Sequence, residues 1–303
     1  MNVNKYDLCV LAHVTKDVIT TLDNVRKMPG GTGYYFSVAL GNMATKGLLI
    51  TKMATEDFIM TEQLNGFEVV TIKSACSHHY ENIYRDYDQR EQKVHSLAEP
   101  FKVSDIPPVE CDFIHLGPLS KYDISLDVIE HARTKAKVSL DVQGYLREII
   151  NNRVVLCPWE DWKEGLSMIS VLKANEFEAT TLTGKYNLKQ AAIEIAALGV
   201  DEVVITLGSS GSLILHDNIF TEISAYKPQK VVDATGCGDT YMAGYLFKRI
   251  NHCTVSEAGH YAAAMATLKI ENFGPFSKSD AEVKHLLSNL ITLTSKGNDL
   301  GLS

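Results

Sequence analysis

"VVDATGCGDTYMAGYLF", residues 231–247, places two aspartates around a glycine-containing turn and then continues into a helical pattern. Apolar residues recur at every fourth position from Met242 to Ile250, which predicts a helix that begins near Gly238. Glycines allow a backbone to approach a ligand closely, and the first N–H groups of a helix are unpaired and favour an anion. The stretch therefore predicts an anion site where a strand gives way to a helix.

The carboxylate in this turn needs a chemical role, because it would otherwise repel the anion. The N–H groups of Gly236, Cys237 and Gly238 would face the space above the helix start, which suits a phosphoryl group in transit. Asp239 would stay ionised in the first turn and accept a proton from an attacking hydroxyl. The turn is thus suited to phosphoryl transfer. The other interpretation is a capped helix, with glycine for the turn and aspartate for the helix start.

Two common nucleotide-binding motifs are excluded by their spacing. The segment "TGKY" at 183–186 has a lysine after a glycine, but Tyr186 follows it and no glycine stands five residues before Gly184. A dinucleotide fingerprint is also excluded, because the glycine that follows Gly236 and Gly238 is Gly244. The anion site is therefore neither a P-loop nor the dehydrogenase type.

The composition is that of a soluble globular chain. The 303 residues include 45% hydrophobic residues and carry a formal charge of −8, without a Lys/Arg-rich run, so a nucleic-acid partner is not expected. No stretch approaches the roughly 18 apolar residues of a membrane span, and the first residues do not resemble a signal peptide. Six scattered cysteines indicate reduced thiols. We therefore expect a cytoplasmic protein that does not enter a membrane.

Short apolar runs of strand size alternate with helical patterns along most of the chain. Helices are predicted at 125–136 and 187–200, and capping boxes at Thr254 and Ser279 predict two further helix starts. The alternation predicts a parallel sheet with helices on both faces. The predicted strands are "YDLCVLAHV", "FIHLGP", "KVSLDV", "MISVLKAN" and "EVVITLG".

Two segments interrupt this alternation. Residues 15–35 are predicted to be extended or turning. Residues 72–101 mix polar and aromatic side chains, which is typical of strands with one solvent-exposed face. We predict that these segments pair as a small antiparallel sheet that forms a lid over one edge of the main domain. An exposed edge of this sheet would favour a homodimer through the lid. The predicted division is a lid of residues 15–35 and 72–102, and an α/β domain of residues 1–14, 36–71 and 103–303.

The stretch "DATGCGDTYMAGYLF" closely resembles the signature D-T-x-G-A-G-D-x-F-x-x-G of the ribokinase-like, or PfkB, carbohydrate kinase family. "KANEFEA" (173–179) resembles the K-x-N-x-x-E segment of that family, and "VITLGSSGSLI" (204–214) resembles its T-x-G-x-x-G turn. "MPGGTGYYFSVAL" (28–40) resembles its N-terminal di-glycine. The resemblance implies an α/β fold, namely a three-layer α/β/α sandwich with a mostly parallel central sheet and a small β-sheet lid.

The resemblance also implies an activity, which is transfer of the γ-phosphoryl group of ATP to a hydroxyl with the help of Mg²⁺. Asp239 matches the catalytic base, and Gly236, Cys237 and Gly238 match the anion hole. The matched cofactor-binding positions are Asn175, Glu178, Thr206, Gly208, Gly211 and Asp233.

Each of these positions has an implied role. The pair Asn175 and Glu178 organises Mg²⁺ and the phosphates, with Glu178 acting through water. Thr206, Gly208 and Gly211 form the turn against the nucleotide phosphates. Asp233 shapes the loop and helps to hold a monovalent cation such as K⁺. "IENFGPF" (270–276) lies where the family has a loop near the adenine and this cation. For the pair, the other interpretation is ordinary helix capping.

The N-terminal half departs from the common family pattern. "LAHVTKDVI" replaces the usual G-[DEN]-x-x-x-D, and no asparagine follows the di-glycine, which argues against a routine ribokinase or fructokinase. "SLDVQGYLR" (139–147) resembles a smaller branch that includes myo-inositol kinases. We therefore expect a small sugar, polyol or cyclitol as acceptor. A nucleoside acceptor, or a non-catalytic sugar-binding sensor on the kinase scaffold, is the alternative.

An acceptor with vicinal hydroxyls needs several polar partners, because each buried hydroxyl left unpaired is costly. Acidic, imidazole and main-chain groups near the di-glycine would supply hydrogen bonds, and a tyrosine would stack on the apolar face of a ring. The other interpretation makes both tyrosines core or lid residues. The candidate substrate-binding residues are His13, Asp17, Gly30, Gly31, Tyr34 and Tyr35.

Overall fold

The computed structural model describes residues 4–20, 24–43, 45–62, 64–86 and 89–288. The strands in these ranges are β1 (Asn4–Lys5), β2 (Leu8–Ala12), β3 (Thr15–Thr20), β4 (Val25–Gly30), β5 (Gly47–Met53), β6 (Phe67–Lys73), β7 (His79–Asp86), β8 (Gln89–Ser96), β9 (Val109–Glu110), β10 (Phe113–Gly117), β11 (Lys137–Asp141), β12 (Arg147–Ile150), β13 (Arg153–Leu156), β14 (Val171–Asn175), β15 (Glu202–Thr206), β16 (Ser212–His216) and β17 (Ile219–Ile223).

The α-helices in the same ranges are α1 (Gly31–Gly41), α2 (Leu126–Arg133), α3 (Trp162–Leu166), α4 (Glu176–Thr183), α5 (Leu188–Ala196), α6 (Cys237–Ile250) and α7 (Val255–Ile270), and residues 280–288 are also helical. Short 3-10 turns occupy Thr55–Thr61, Val103–Asp105, Val142–Leu146 and Gly208–Ser210. The predicted helix starts at Thr254 and Ser279 are present, each with the hydroxyl and the glutamate three residues later bonded to main-chain N–H groups. The parts of the predicted domains at 1–3, 21–23, 44, 63, 87–88 and 289–303 lie outside the described residues.

The central sheet contains nine of the described strands in the order β17-β16-β15-β14-β11-β10-β2-β5-β6. The seven strands from β15 to β6 run parallel. Strand β16 is antiparallel to its neighbour β15, and β17 is antiparallel to β16. Its central strands are continuous apolar runs because both faces of the sheet are covered; β2 and β5 are buried at every position. The predicted α/β class with a mostly parallel sheet is confirmed.

Helices cover both faces of this sheet and create two cores. Buried side chains of α2, α4 and α5, such as Val128, Ala179 and Ile195, pack on one face. Buried side chains of α1, α6 and α7, such as Phe36 and Met242, pack on the other face. The predicted helices at 125–136 and 187–200 are α2 and α5, and the arrangement is the expected three-layer sandwich. Among the described helices, none is both long and apolar enough to cross a membrane.

A second sheet contains six of the described strands in the order β12-β13-β8-β7-β3-β4, and it includes strands from both predicted lid segments. The prediction that this sheet is antiparallel is wrong for one pair, because β3 and β7 are parallel. The chain passes through α1, β5 and β6 between these strands, and such a crossover allows a parallel pair where a hairpin would not. The division into two domains, with this sheet as a lid, stays a prediction.

The hairpin β12–β13 also belongs to the second sheet, although its residues were assigned to the main domain by sequence. Asn151 and Asn152 join its strands with φ values of +50° and +61°. A hairpin with a two-residue loop typically has positive φ at both loop residues, and asparagine tolerates this conformation. The asparagine pair in "REIINNRVVL" was therefore a usable signal for this hairpin.

Helix α1 begins at Gly31, so residues 31–35 are helical although they were predicted to be extended or turning. Gly31 has a φ of +77°, and a Cβ atom there would lie 2.6 Å from the carbonyl oxygen of His13. At Gly33, a Cβ atom would lie 2.9 Å from the carbonyl oxygen of Ala12. The glycines therefore let the helix start pack directly on the end of β2, and this contact overrides their low helix propensity.

Candidate active site

A cavity of about 640 Å³ lies between the central sheet and the second sheet. Its floor is at the carboxyl ends of parallel strands, where Asp141, Asn175 and Thr206 end β11, β14 and β15. Asp17 of β3 and Gln92 of β8 line the opposite side. Ligands of open α/β sheets bind outside the carboxyl ends of the strands, so this is the expected position for an active site.

The turn before α6 faces this cavity through Gly236 and Gly238. Gly236 has a φ of +75°, and a Cβ atom there would lie 2.3 Å from the ring of Tyr35. Only glycine meets both conditions without strain. Helix α6 begins at Cys237, but a loop rather than a strand leads into it, since β17 already ends at Ile223.

The amides of this turn are not equivalent, which corrects the expectation that three of them face the anion. The Cys237 amide donates to the carbonyl oxygen of Ala234 at 3.2 Å within the turn. In the described part of the chain, no hydrogen-bond acceptor is recorded for the Gly236 and Gly238 amides. These two N–H groups are therefore the ones available to an anion at the start of α6.

The Cys237 side chain does not line the cavity. Its Sγ donates weakly to the carbonyl oxygens of Asp233 and Ala266, at 4.0 and 3.9 Å. Burial raises the pKa of the thiol to about 11, so the group remains protonated at neutral pH. Cys237 therefore acts as a small side chain packed behind the turn.

Asp239 is half-buried and lines the cavity one residue beyond Gly238. Its pKa is raised to about 6, first because burial penalises the charged carboxylate and second because of the nearby negative charge of Asp141. Lys173 opposes this shift. A carboxyl with this pKa is mostly ionised at neutral pH and is a competent proton acceptor for a hydroxyl.

The ion pair between Lys173 and Asp141 was not singled out by sequence. Lys173 Nζ donates to Asp141 Oδ2 at 2.8 Å, and both side chains are about 6% exposed. A Cβ atom on Gly238 would lie 3.2 Å from Lys173 Nζ, so the ammonium group is beside the anion turn. The available signal was the lysine that opens the segment "KANEFEA", a buried lysine at the end of a parallel strand.

Asn175 and Glu178 form a capping box at the start of α4. Asn175 Oδ1 accepts from the Glu178 amide, and Glu178 Oε2 accepts from the Asn175 amide, both at 2.8 Å. Asn175 lines the cavity, whereas Glu178 does not. Burial raises the pKa of the Glu178 carboxyl, and the Lys173 charge opposes that shift. Helix capping, the other interpretation of this pair, is therefore part of its role.

The residues of the turn after β15 divide into two groups. Thr206 and Gly208 line the cavity, and Gly211 does not. Gly211 has a φ of +100°, and a Cβ atom there would lie 1.9 Å from the carbonyl oxygen of Ile223. The glycine at this position is thus required by packing against β17, and a direct contact of Gly211 with phosphates is not supported.

Asp233 lies behind the turn rather than on the cavity wall. Its Oδ1 accepts from the Thr235 amide at 2.9 Å, and its Oδ2 accepts from the Gly274 amide at 3.2 Å. Lys269 Nζ donates to Asp233 Oδ2 at 3.0 Å and to the Asp233 carbonyl oxygen at 2.7 Å. The residue expected to help hold a monovalent cation therefore already binds an ammonium group through two of its oxygens.

Three of the six predicted substrate-binding residues line the cavity: Asp17, Gly31 and Tyr35. Gly30 is behind the wall, where a Cβ atom would lie 2.2 Å from Asp17 Oδ2, so this glycine makes room for the carboxylate. Tyr34 is buried with its ring edge-on to Tyr35, at 5.7 Å between centroids. The core interpretation therefore holds for Tyr34, and a direct contact of Tyr34 or Gly30 with a substrate is not supported.

His13, the remaining predicted substrate residue, is fully buried outside the cavity. Its ring stacks on that of His78 at 4.0 Å, and both imidazoles lie near the buried carboxylate of Asp123. Within the described ranges, these three residues form the one cluster with metal-ligand spacing. However, His78 Nδ1 accepts from the Ala98 amide, so its Nε2 carries the proton and faces Asp123 Oδ1 at 3.4 Å. A protonated Nε2 has no lone pair for a metal ion, which argues against a metal site at this cluster.

The second sheet contributes cavity residues that sequence reasoning missed. Thr15 Oγ1 donates to Asp17 Oδ1 at 2.6 Å, and Gln92 Nε2 donates to Asn82 Oδ1 at 3.0 Å across β7 and β8. Arg147, the first residue of β12, also lines the cavity. The second sheet therefore presents both acidic and amide groups to a ligand.

Residues 113–281 match the family described as pfkB family carbohydrate kinase. The chain belongs to this family. It is 28% identical over 255 residues to a cytidine kinase from Thermococcus kodakarensis. The aligned region covers 79% of this chain and 87% of the cytidine kinase. The PfkB kinase is therefore a phosphotransferase that acts on a hydroxyl group, as its relatives are.

Two solved structures resemble the kinase over almost its whole length. One is a pyrophosphate-dependent kinase in the ribokinase family, complexed with a pyrophosphate analog and myo-inositol. It is 31% identical to this chain with a TM-score of 0.81, and the match covers 91% of this chain and 99% of that one. The other is a pyrophosphate-dependent myo-inositol-1 kinase converted into a myo-inositol-3 kinase, 28% identical with a TM-score of 0.82, covering 93% and 98%. The ribokinase-like fold of this kinase is thereby established.

Proposed function

We propose that this kinase phosphorylates a hydroxyl of a cyclitol or small sugar, with Asp239 as the general base. The observation that carries the proposal is the shared cavity: the Asp239 carboxylate and the two glycine amides of the α6 start lie on one wall, and polar groups of the second sheet lie on the other. A phosphoryl donor and a hydroxyl acceptor would meet between these walls. Proximity and charge stabilisation are the main requirements of phosphoryl transfer.

The proposed reaction forms one bond and breaks another at phosphorus. The acceptor oxygen bonds to the terminal phosphorus, the bridging P–O bond of the donor breaks, and the hydroxyl proton moves to Asp239. The Gly236 and Gly238 amides stabilise the charge of the migrating group, and the nearby Lys173 ammonium adds a positive charge. The remaining donor phosphate leaves with the electron pair of the broken bond.

The cavity suits a donor with Mg²⁺ bound to its phosphates. Mg²⁺ prefers oxygen ligands and keeps several waters, and Asp141, Asn175 and Glu176 present oxygen atoms on the cavity wall. When bound, Mg²⁺ neutralises the phosphate charges. The Thr206–Gly208 turn supplies a second polar surface for the donor phosphates.

The proposed acceptor site is the part of the cavity between Asp17, Tyr35 and Arg147. Asp17 is 7% exposed and offers carboxylate oxygens to hydroxyls, while the Tyr35 ring offers an apolar face. The segment at 139–147, which resembles the branch with myo-inositol kinases, contributes Asp141, Gln143 and Arg147 to the lining of the cavity. This combination favours an acceptor with several adjacent hydroxyls.

ATP is the proposed donor, and pyrophosphate is a second candidate with specific support. The two solved structures described above come from pyrophosphate-dependent kinases and are 28–31% identical to this chain. Both donors end in the same phosphoanhydride, so the groups at the α6 start would treat them alike. A steady-state comparison of ATP with pyrophosphate, for each acceptor, separates the two donors.

An acceptor screen tests the proposal. Purified kinase is incubated with Mg²⁺, either donor, and inositols, sugars or nucleosides, and release of ADP or phosphate is measured. Turnover with a cyclitol or sugar supports the proposal, and turnover with nucleosides alone would favour the nucleoside kinase that the cytidine kinase relative suggests. Ligand binding without turnover would favour a sensor.

A matched pair of variants tests the general base. Asp239→Asn should retain donor binding and lose about 10³-fold in turnover. Asp127→Asn removes an exposed first-turn aspartate of α2 that does not line the cavity, and should leave turnover unchanged. Equal activity of Asp239→Asn and the native enzyme would refute the assignment.

A further inference from the structure

Lys269, in the last turn of α7, has a wholly buried side chain, with 0% of its surface exposed. Its Nζ lies between two oxygens of a single residue, the carbonyl and Oδ2 of Asp233, at 2.7 and 3.0 Å. The ring of Tyr35 lies 5.8 Å from the same nitrogen, within the range of a cation–π contact. A buried ammonium group is costly unless it is paired, so this arrangement is specific.

The position of this ammonium group connects three parts of the site. Asp233 is three residues before Gly236, which starts the anion turn, and its carboxylate also accepts from the Gly274 amide in the loop after α7. Tyr35 packs on Gly236 and lines the cavity. The positive charge of Lys269 is therefore held directly behind the turn that would receive the migrating phosphoryl group.

Asp233 is the residue that the family resemblance implies for a monovalent cation, and Lys269 Nζ already binds its carbonyl oxygen and its Oδ2. A monovalent metal ion placed on them would lie within hydrogen-bond distance of the Lys269 ammonium and would be repelled by it. An alkylammonium group carries the same charge and takes the same oxygen ligands. The residues present thus do not fit an exchangeable K⁺ at this position.

We propose that Lys269 is a built-in substitute for the monovalent cation, so that this kinase is active without K⁺ or Na⁺. The lysine stabilises the loop from Asp233 to Gly236 and supplies a permanent positive charge behind the anion turn. A covalently attached cation needs no binding equilibrium, and the site is complete at any salt composition. The turnover part of the test rests on the proposed kinase function, but the stability part does not.

The first measurement compares salts on the native enzyme. Turnover and the thermal midpoint are determined in potassium, sodium and tetramethylammonium chloride at equal ionic strength. We expect both quantities to be the same in the three salts, with turnover agreeing within about twofold. A turnover about tenfold or more higher in K⁺ than in tetramethylammonium would overturn the proposal.

The second measurement uses Lys269→Met, which removes the charge and leaves the Asp233 oxygens unpaired. This variant should be more stable in K⁺ than in tetramethylammonium, without donor or acceptor present, because K⁺ then binds the folded state. Its turnover should fall by about tenfold or more in tetramethylammonium and recover in part with K⁺. If K⁺ changes neither the stability nor the turnover of Lys269→Met, the proposal is overturned.

The matched control is Lys52→Met. Lys52 is also buried and also donates to one carboxylate and one carbonyl, those of Asp105 and Pro100, but it lies outside the cavity. Its loss should lower stability without creating a K⁺ effect; a K⁺ effect equal to that of Lys269→Met would overturn the assignment to Asp233. If Lys269→Met does not fold, Lys269→Gln, which keeps a donor but not the charge, replaces it with the same expected results.

A failure of the kinase proposal is distinguishable from a failure of this one. If no acceptor is phosphorylated but Lys269→Met gains K⁺-dependent stability and Lys52→Met does not, the cation substitution stands and the activity does not. If turnover is found but depends on K⁺ in the native enzyme, the activity stands and the cation substitution does not.

Discussion

Lys173 donates from Nζ to Oδ2 of Asp141 at 2.8 Å, and this buried pair lies beside the carboxylate of Asp239. The two partners act on Asp239 in opposite directions: the Asp141 charge raises its pKa, and the Lys173 charge lowers it. Burial contributes the largest part of the rise, to about 6. The ion pair on two neighbouring strands therefore adjusts the pKa of the proposed base, which burial has already raised.

The first prediction concerns the pH dependence of the native enzyme. A base with a pKa raised to about 6 is protonated below that pH, so kcat should fall toward tenfold per pH unit as the pH drops from 6 to 4. The measurement is kcat against pH with donor and acceptor saturating. The acid limb should be the same with ATP and with pyrophosphate, because it belongs to the enzyme. A rate that stays constant down to pH 4.5 would contradict this assignment.

The second prediction separates the two partners of Asp239. Lys173→Met removes a positive charge and should move the acid limb of kcat to higher pH by about one unit, whereas Asp141→Asn removes a negative charge and should move it to lower pH. Lys173→Arg keeps the charge and should leave the limb near its native position. Shifts of the same sign in the Met and Asn variants would show that the pair does not control the base.

The third prediction concerns the anion turn. Gly236 and Gly184 both have left-handed φ values, of +75° and +69°, but a Cβ atom meets the Tyr35 ring only at Gly236 and meets nothing within 4 Å at Gly184. Each alanine variant should lose about 1–2 kcal/mol of unfolding free energy from backbone strain, and Gly236→Ala should lose more. Urea denaturation measures both. Turnover should be lost in Gly236→Ala alone; equal losses of stability and activity would exclude the Tyr35 contact as the cause.

The fourth prediction concerns the acceptor. Asp17→Asn keeps the size of the side chain but removes the negative charge that would accept hydrogen bonds from the acceptor's hydroxyls. The KM for the acceptor should therefore rise about 10- to 100-fold. The KM for the donor should not change, because the donor groups lie on the other wall. Asp217→Asn, at an exposed turn, is the control. An unchanged acceptor KM would remove Asp17 from the acceptor site.

Several features of the site were predictable because they depend on residues that are close in sequence. The glycine turn with Asp239 and the capping box of Asn175 and Glu178 each lie within four or five consecutive residues. Gly211 and Tyr34 were predicted to contact ligands, but neither of them lines the cavity. Gly211 packs against β17, and Tyr34 lies in a core cluster built from several helices and strands, so a motif match alone did not show whether they face the cavity.

The sequence by itself determined the alternation of strands and helices, the helix starts and the family, since periodicity and capping act over a few neighbouring residues. Only the tertiary structure decided which charges meet: Lys173 with Asp141 across β14 and β11, and Lys269 with Asp233 across 36 positions. It also removed His13 from the cavity and added β12 and β13 to the second sheet. Such contacts arise from strand register and helix packing, which bring distant residues together without a local signal.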